Sequence, residues 1–254
     1  MINLYFVGTA GSGKSTLTAA FKLWMSQHGY DAITVNLDPG AERVQYPADI
    51  DVRDWISLQE VMDTHGLGPN GAQIVCADML ALKSQEIKEV LDEFDPDYAL
   101  IDTPGQIELF AYRDASKEIL DTFGERNSLI TFLFDPFLSR LPSGFVSLLL
   151  LATSIQFRTE TPFLNILSKV DLIGDEDVER ILRWSGDPGS LYDDLISSTQ
   201  SMQAQSSVEF FRALEVLDIY REIIPVSSEQ ERGMEDIYNA VQQIFFGGED
   251  IVVD

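Results

Sequence analysis

Cysteine, histidine and basic residues are scarce in this chain. A single cysteine, Cys76, among 254 residues excludes an intrachain disulfide and points to a reducing compartment. The two histidines, His28 and His65, are too far apart to form a ligand cluster, so a zinc site is not expected. Lysine and arginine number 17 against 42 acidic residues, a formal charge of −25. A surface of that sign repels nucleic acid and anionic lipid, whose binding normally requires Lys and Arg to neutralise phosphates. The acidity serves either solubility or docking to a basic partner. Long hydrophobic runs are also missing. The longest, 145–157, is interrupted by Ser147, Thr153, Ser154 and Gln156. A spanning helix needs about 20 apolar residues, so this run reads as a buried helix. Residues 1–7 lack a basic flank and lead straight into glycine, unlike a targeting signal. The expectation is a cytoplasmic protein with no membrane association and no direct nucleic-acid partner.

The 45 % hydrophobic content suits one large α/β domain spanning 1–254. Short apolar runs at 2–7, 31–37, 98–101, 129–134, 163–167 and 222–226 read as six buried strands. Helical spacing falls between them. One helix covers 15–28, and another opens at Ser57 with Glu60 three residues on as a capping box. After a turn over 66–71, a long helix runs from about 72 to 94, where Asp95-Pro96 breaks it. A closing helix spans 234–246. Such alternation predicts a doubly wound, mainly parallel sheet flanked by helices. Between 175 and 220 the helical pieces have no strand between them, which reads as a helical insertion. The acidic tail, 247–254, is expected to be loose.

The firmest chemical signal is Gly8-Thr9-Ala10-Gly11-Ser12-Gly13-Lys14-Ser15, a full match to G-x-x-x-x-G-K-[ST] after a strand and opening a helix. Glycines let successive N–H groups converge on phosphate oxygens, and the helix N-terminus adds positive potential. Lys14 would reach the β- and γ-phosphates, and Ser15 would ligate Mg²⁺. Ala10, Gly11, Ser12, Gly13 and Thr16 complete the expected phosphate contacts. A second signal follows the third strand, where Asp102-Thr103-Pro104-Gly105 stands at the sheet edge that binds ligands in open α/β folds. Asp102 would hold the magnesium, and the Gly105 N–H would sense the γ-phosphate.

Ser168-Lys169-Val170-Asp171 after the fifth strand resembles the guanine-reading [NT]-K-x-D element of GTPases. The Asp171 carboxylate suits guanine's N1–H and 2-amino group, a donor pair that adenine lacks. Ser168 departs from Asn or Thr but keeps a hydroxyl. Ser227 and Ser228, after the last strand, resemble the element that bonds the base oxygen through backbone N–H.

In this setting Gly68-Pro69-Asn70 resembles the signature of the GPN-loop GTPases. So do Asn36-Leu37-Asp38-Pro39-Gly40, Ile50-Asp51-Val52-Arg53 and Asp102-Thr103-Pro104-Gly105-Gln106. The resemblance covers residues 1 to about 245. The family belongs to the dimeric branch of P-loop proteins that includes signal-recognition GTPases and nitrogenase-iron-protein-like ATPases. Many of that branch carry an early P-loop lysine, absent here at Thr9 and Ala10. The resemblance implies a homodimer in which Asn70 of one subunit reaches the phosphate end of the other's nucleotide. It also implies that Asp38, Gln106 and Glu108 orient the attacking water. It further suggests a protein client, since the family's eukaryotic members are linked to RNA polymerase assembly and transport. The activity expected is hydrolysis of GTP to GDP with Mg²⁺, driving a conformational switch in complex assembly. Two alternatives remain at this level. One is a P-loop kinase acting on a small molecule, against which the lid region offers only Arg180, Arg183 and Arg212. The other is an ATP-driven assembly factor.

Overall fold

A computed structural model describes residues 1–111, 113–197, 208–212 and 222–247. Seven strands form one sheet: β1 (Ile2–Gly8), β2 (Ala32–Asn36), β3 (Ile50–Asp51), β4 (Tyr98–Asp102), β5 (Ser128–Phe134), β6 (Phe163–Leu167) and β7 (Ile223–Pro225). Their order is β3-β2-β4-β1-β5-β6-β7, and every pairing is parallel. Parallel strands covered on both faces are apolar on both sides, which is why the sequence shows continuous rather than alternating runs. In β1, Ile2, Leu4 and Phe6 join the core beneath α1 (Lys14–Gln27) and the closing helix Met234–Phe246. Tyr5 and Val7 point to the opposite core, shared with α2 (Leu58–His65), α3 (Pro69–Phe94), α5 (Asp114–Phe123) and α7 (Pro142–Thr159). Short helices α4 (Ile107–Ala111) and α6 (Pro136–Ser139) follow β4 and β5.

The expected doubly wound sheet is therefore present, with one strand more than the sequence suggested. β3 was missed because two residues are too few to carry a period. The long helix also begins earlier than expected. Gly68 is its N-cap, and Pro69 and Asn70 lie in its first turn rather than in a free turn. Proline is well suited to that position, since its absent N–H would be unpaired there anyway. At α2 the Ser57 hydroxyl accepts the Glu60 N–H at 3.3 Å, as the capping pattern implied.

The run 145–157 lies within α7, which buries Phe145, Val146, Leu148, Leu149, Ala152 and Ile155. Among the described residues no helix is long and apolar enough to cross a membrane. Within 175–220, α8 (Asp175–Gly186) and α9 (Pro188–Ser197) are consecutive helices. Residues 198–207 and 213–221 lie outside the described residues, as does the tail from 248.

Candidate active site at the carboxyl ends of the strands

Because all strands are parallel, Gly8, Asn36, Asp102, Phe134 and Leu167 end at one edge of the sheet, beside the central β1. Between β1 and α1 the chain turns through Gly11 (φ 77°) and Gly13 (φ 100°), both left-handed and thus natural to glycine. Gly8 is required for closeness, since a Cβ there would lie 2.6 Å from Ser12 Oγ and 3.0 Å from the Leu133 carbonyl. Ala10 and Gly11 form the exposed rim of the loop, and Ser12 lies buried beneath it.

Lys14 folds back over this loop, donating to the carbonyls of Gly8 at 2.9 Å and Thr9 at 3.2 Å. Burial lowers its pKa, against the opposing pull of Asp102 and Asp38. Asp102 is 3 % exposed. Burial pushes its carboxyl up to about 6, although the Ser15 hydroxyl, Lys14 and Tyr46 all favour the charged form. Its Oδ2 accepts the Tyr46 hydroxyl at 3.2 Å, while Oδ1 is buried without a partner. Burial and the nearby carboxylate raise the Tyr46 phenol, so it stays a donor. A desolvated carboxylate with an unpaired oxygen beside a serine hydroxyl is a hard-oxygen donor set that fits Mg²⁺.

Asp38 and Gly105 meet at the same edge. The Gly105 N–H donates to Asp38 Oδ2 at 2.9 Å, and the Gly40 N–H donates to Oδ1 at 2.9 Å. The Thr103 hydroxyl ties this segment to β1 by donating to the Phe6 carbonyl at 2.7 Å. Lys14, Ser15, Thr16, Asp38 and Gly105 line one cavity. It adjoins a second, lined by Gly13, Thr16, Lys169, Asp171, Val226 and Ser228, so the two form one elongated cleft.

Sequence-distant residues join the halves of this cleft. The Ser168 hydroxyl lies 2.8 Å from the Ser12 carbonyl and 3.0 Å from that of Phe134, tying the phosphate loop to the ends of β5 and β6. Serine in place of Asn or Thr thus retains a link between the two. Lys169 takes a left-handed conformation (φ 52°), lays its stem against Gly13 and donates to the Gly11 carbonyl. Ser228 faces the cavity, whereas Ser227 is buried and its N–H already donates to the Arg232 carbonyl at 3.1 Å.

Asn70, Gln106 and Glu108 are exposed, and none lines either cavity of its own chain. The start of α3 is nonetheless close to the phosphate side, for a Cβ on Gly40 would lie 2.9 Å from Gln73 Nε2. Sequence reasoning missed Gln45, Tyr46 and Glu229. Glu229 lines the cavity that holds Lys169 and Asp171, and Gln45 accepts the Thr16 hydroxyl at 2.9 Å. No short pattern marks Gln45 and Tyr46, because each acts through a partner far away in the chain.

Residues 6–246 match the model of a family described as "Conserved hypothetical ATP binding protein". The chain is 31 % identical over 240 residues to GPN-loop GTPase PAB0955 of Pyrococcus abyssi, covering 91 % of this chain and 92 % of that protein. To GPN-loop GTPase 3 of Saccharomyces cerevisiae it is 33 % identical over 254 residues, covering 96 % and 92 % respectively. A crystal structure of PAB0955, described as a GTPase in apo form, matches with a TM-score of 0.86 at 30 % identity, covering 96 % of this chain and 98 % of that one. Likeness over nearly the full length of these relatives goes well beyond a shared phosphate loop, and the chain belongs to the GPN-loop GTPase family.

Proposed function

We propose that this GPN-loop GTPase acts as a homodimer, hydrolysing GTP to GDP and phosphate with Mg²⁺, and that the cycle switches its shape during assembly of a protein complex in the cytoplasm. The observation that supports nucleotide hydrolysis in this reading is the cleft running from Asp171 to Lys14 and Ser15, with the buried Asp102 carboxylate next to Ser15.

In this reading the loop amides from Gly8 to Ser15 and the α1 N-terminus cradle the phosphates. Lys14 leaves its loop carbonyls for the β- and γ-oxygens. Ser15 and Asp102 would hold Mg²⁺, which would supply positive charge against the negative charge gathering on the phosphates. Asp171 accepts from the guanine edge, the Lys169 stem flanks the ring, and the Ser228 side of the last turn approaches the base oxygen. Asp38, with Gln106 and Glu108, accepts from the attacking water, since a carboxylate near the γ-phosphate must face a donor. Asn70 works across the dimer, which accords with its exposure at the head of α3. The acidic surface and the helical pair α8–α9 offer sites to a protein client, with RNA polymerase or another complex as the client class.

The test is product analysis together with dilution. Free phosphate should account for the GTP consumed, and turnover per chain should fall as dilution yields monomers by light scattering. Transfer of phosphate to an acceptor, or turnover per chain unchanged in the monomer, would remove the reading.

A further inference from the structure

The segment between β2 and β3 crosses the phosphate end of the cleft and is fastened there by three side chains. Asp38 Oδ2 holds the Gly105 N–H at 2.9 Å, Gln45 Oε1 holds the Thr16 hydroxyl at 2.9 Å, and the Tyr46 hydroxyl holds Asp102 Oδ2 at 3.2 Å. Every anchor is set on a group that the proposed nucleotide site itself requires. The base of the segment is pinned independently. Asn36 Nδ2 donates to Asp51 Oδ1 at 3.0 Å, Asn36 Oδ1 accepts the Asp38 N–H at 3.0 Å, and Arg53 donates to the Ala41 carbonyl at 3.0 Å while paired with Asp51.

We propose that residues 38–46 form an autoinhibitory strap that imitates the ligand, with the Asp38 carboxylate in the role of the γ-phosphate and the Tyr46 hydroxyl in that of a metal-bound water. This rests on the nucleotide-site reading above. One N–H carries one hydrogen, so Gly105 cannot give both Asp38 and a γ-phosphate a full, linear hydrogen bond. The two would also be anions at van der Waals contact around a single ammonium, Lys14. At Asp102 the phenol donates to the carboxylate as water on a magnesium ion would. GTP with Mg²⁺ therefore has to break the strap's contacts in order to seat. GDP, lacking a γ-phosphate, leaves the Asp38–Gly105 bond intact. A ligand shifts an equilibrium only by its differential interaction with the two states, and here that difference lies at Gly105. The pins at the Asp38 N–H and the Ala41 carbonyl hold the backbone of 38–41, so the displacement is confined to the Asp38 side chain and residues 42–46. Turning the Asp38 carboxylate off Gly105 leaves it on the phosphate side, where it accepts from water.

The experiment measures dissociation constants of a non-hydrolysable GTP analogue and of GDP, each with Mg²⁺, by calorimetry on the full chain and three variants. Tyr46→Phe is expected to tighten both nucleotides about tenfold, the lower range for one hydrogen bond to a charged group. Asp38→Ala is expected to tighten the GTP analogue by a similar factor of about ten and to leave GDP within about twofold. Gln45→Ala, on an exposed side chain, serves as the variant least able to disturb folding, with about threefold tightening expected of both nucleotides. Unfolding midpoints identify any variant that has lost its fold. Unchanged or weaker binding in folded Tyr46→Phe and Gln45→Ala overturns the strap. So does an Asp38→Ala effect equal for the two nucleotides. If the wild-type chain itself binds neither nucleotide, the nucleotide-site reading fails and the strap with it; if it binds and the variants do not tighten, only the strap fails.

Discussion

Replacing Asp102 by asparagine should stabilise the metal-free protein while abolishing its chemistry. The side chain is almost fully buried, and burial raises its carboxyl from the ordinary 3.8 to about 6. At neutral pH the folded protein thus carries a charge that the unfolded chain solvates better. The shift corresponds to about 3 kcal/mol at pH 8, as an upper bound. The sign follows from proton binding. Between pH 3.8 and about 6 the folded state holds the proton more tightly, so this stability is present below the lower value and is lost as pH rises through the upper one. Asparagine keeps the shape, remains compatible with Tyr46 and Ser15, and carries no charge. The variant should therefore gain up to about 3 kcal/mol over wild type at pH 8 and about 1.5 kcal/mol at pH 5, the difference shrinking as the wild-type carboxyl takes up its proton. Urea unfolding in EDTA at both pH values measures this difference, and comparing two chains cancels the other acidic groups. Adding magnesium should stabilise wild type and leave the variant unmoved, and GTP turnover in the variant should fall by about a thousandfold. A variant less stable than wild type at pH 8, or a difference that grows toward pH 5, would refute the account of Asp102 as a desolvated, metal-ready carboxylate.

Asp171→Asn should weaken GTP binding by about a hundredfold through loss of two bonds to the carboxylate, and should improve binding of xanthosine triphosphate. Competition binding reads both, and unchanged base preference would exclude Asp171 as the base reader. Asn70→Ala should slow single-turnover hydrolysis by at least about tenfold with nucleotide affinity kept within about threefold. Wild-type rates would remove the role proposed for it across the dimer. Gly13→Ala places a Cβ at φ 100° and 3.0 Å from the flexible Lys169 stem. The backbone strain, about 1–3 kcal/mol, should lower the unfolding midpoint and weaken GDP binding together. An unshifted midpoint in thermal unfolding would show that the loop relaxes at no cost.

The phosphate loop was legible in the sequence because its chemistry is local: consecutive amides on a glycine turn must be consecutive in the chain. Asp102 and Asp171 were legible for a related reason, since an apolar strand leads directly to each and parallel strands deliver their ends to one edge. The head of α3 was read as a turn because Gly-Pro-Asn-Gly is also turn composition. Gly68 as N-cap and Pro69 as the first helical residue suit the helix equally well, and packing against the Asp38 segment distinguishes the two. The serine pair at 227–228 looked equivalent until the turn folded. A bridge to Arg232 engages the Ser227 amide and leaves Ser228 at the cavity.

By itself, then, the sequence determined the fold class, the phosphate cradle and the carboxylates at the strand ends, because those depend on hydrophobic period and on neighbours along the chain. Tertiary structure decided what those groups touch. Tyr46 reaches Asp102 across 56 positions, Asp38 reaches Gly105 across 67, and Ser168 reaches Ser12 across 156. Such contacts are made by the crossovers of a parallel sheet, which bring distant strand ends to one edge and leave no local pattern to read.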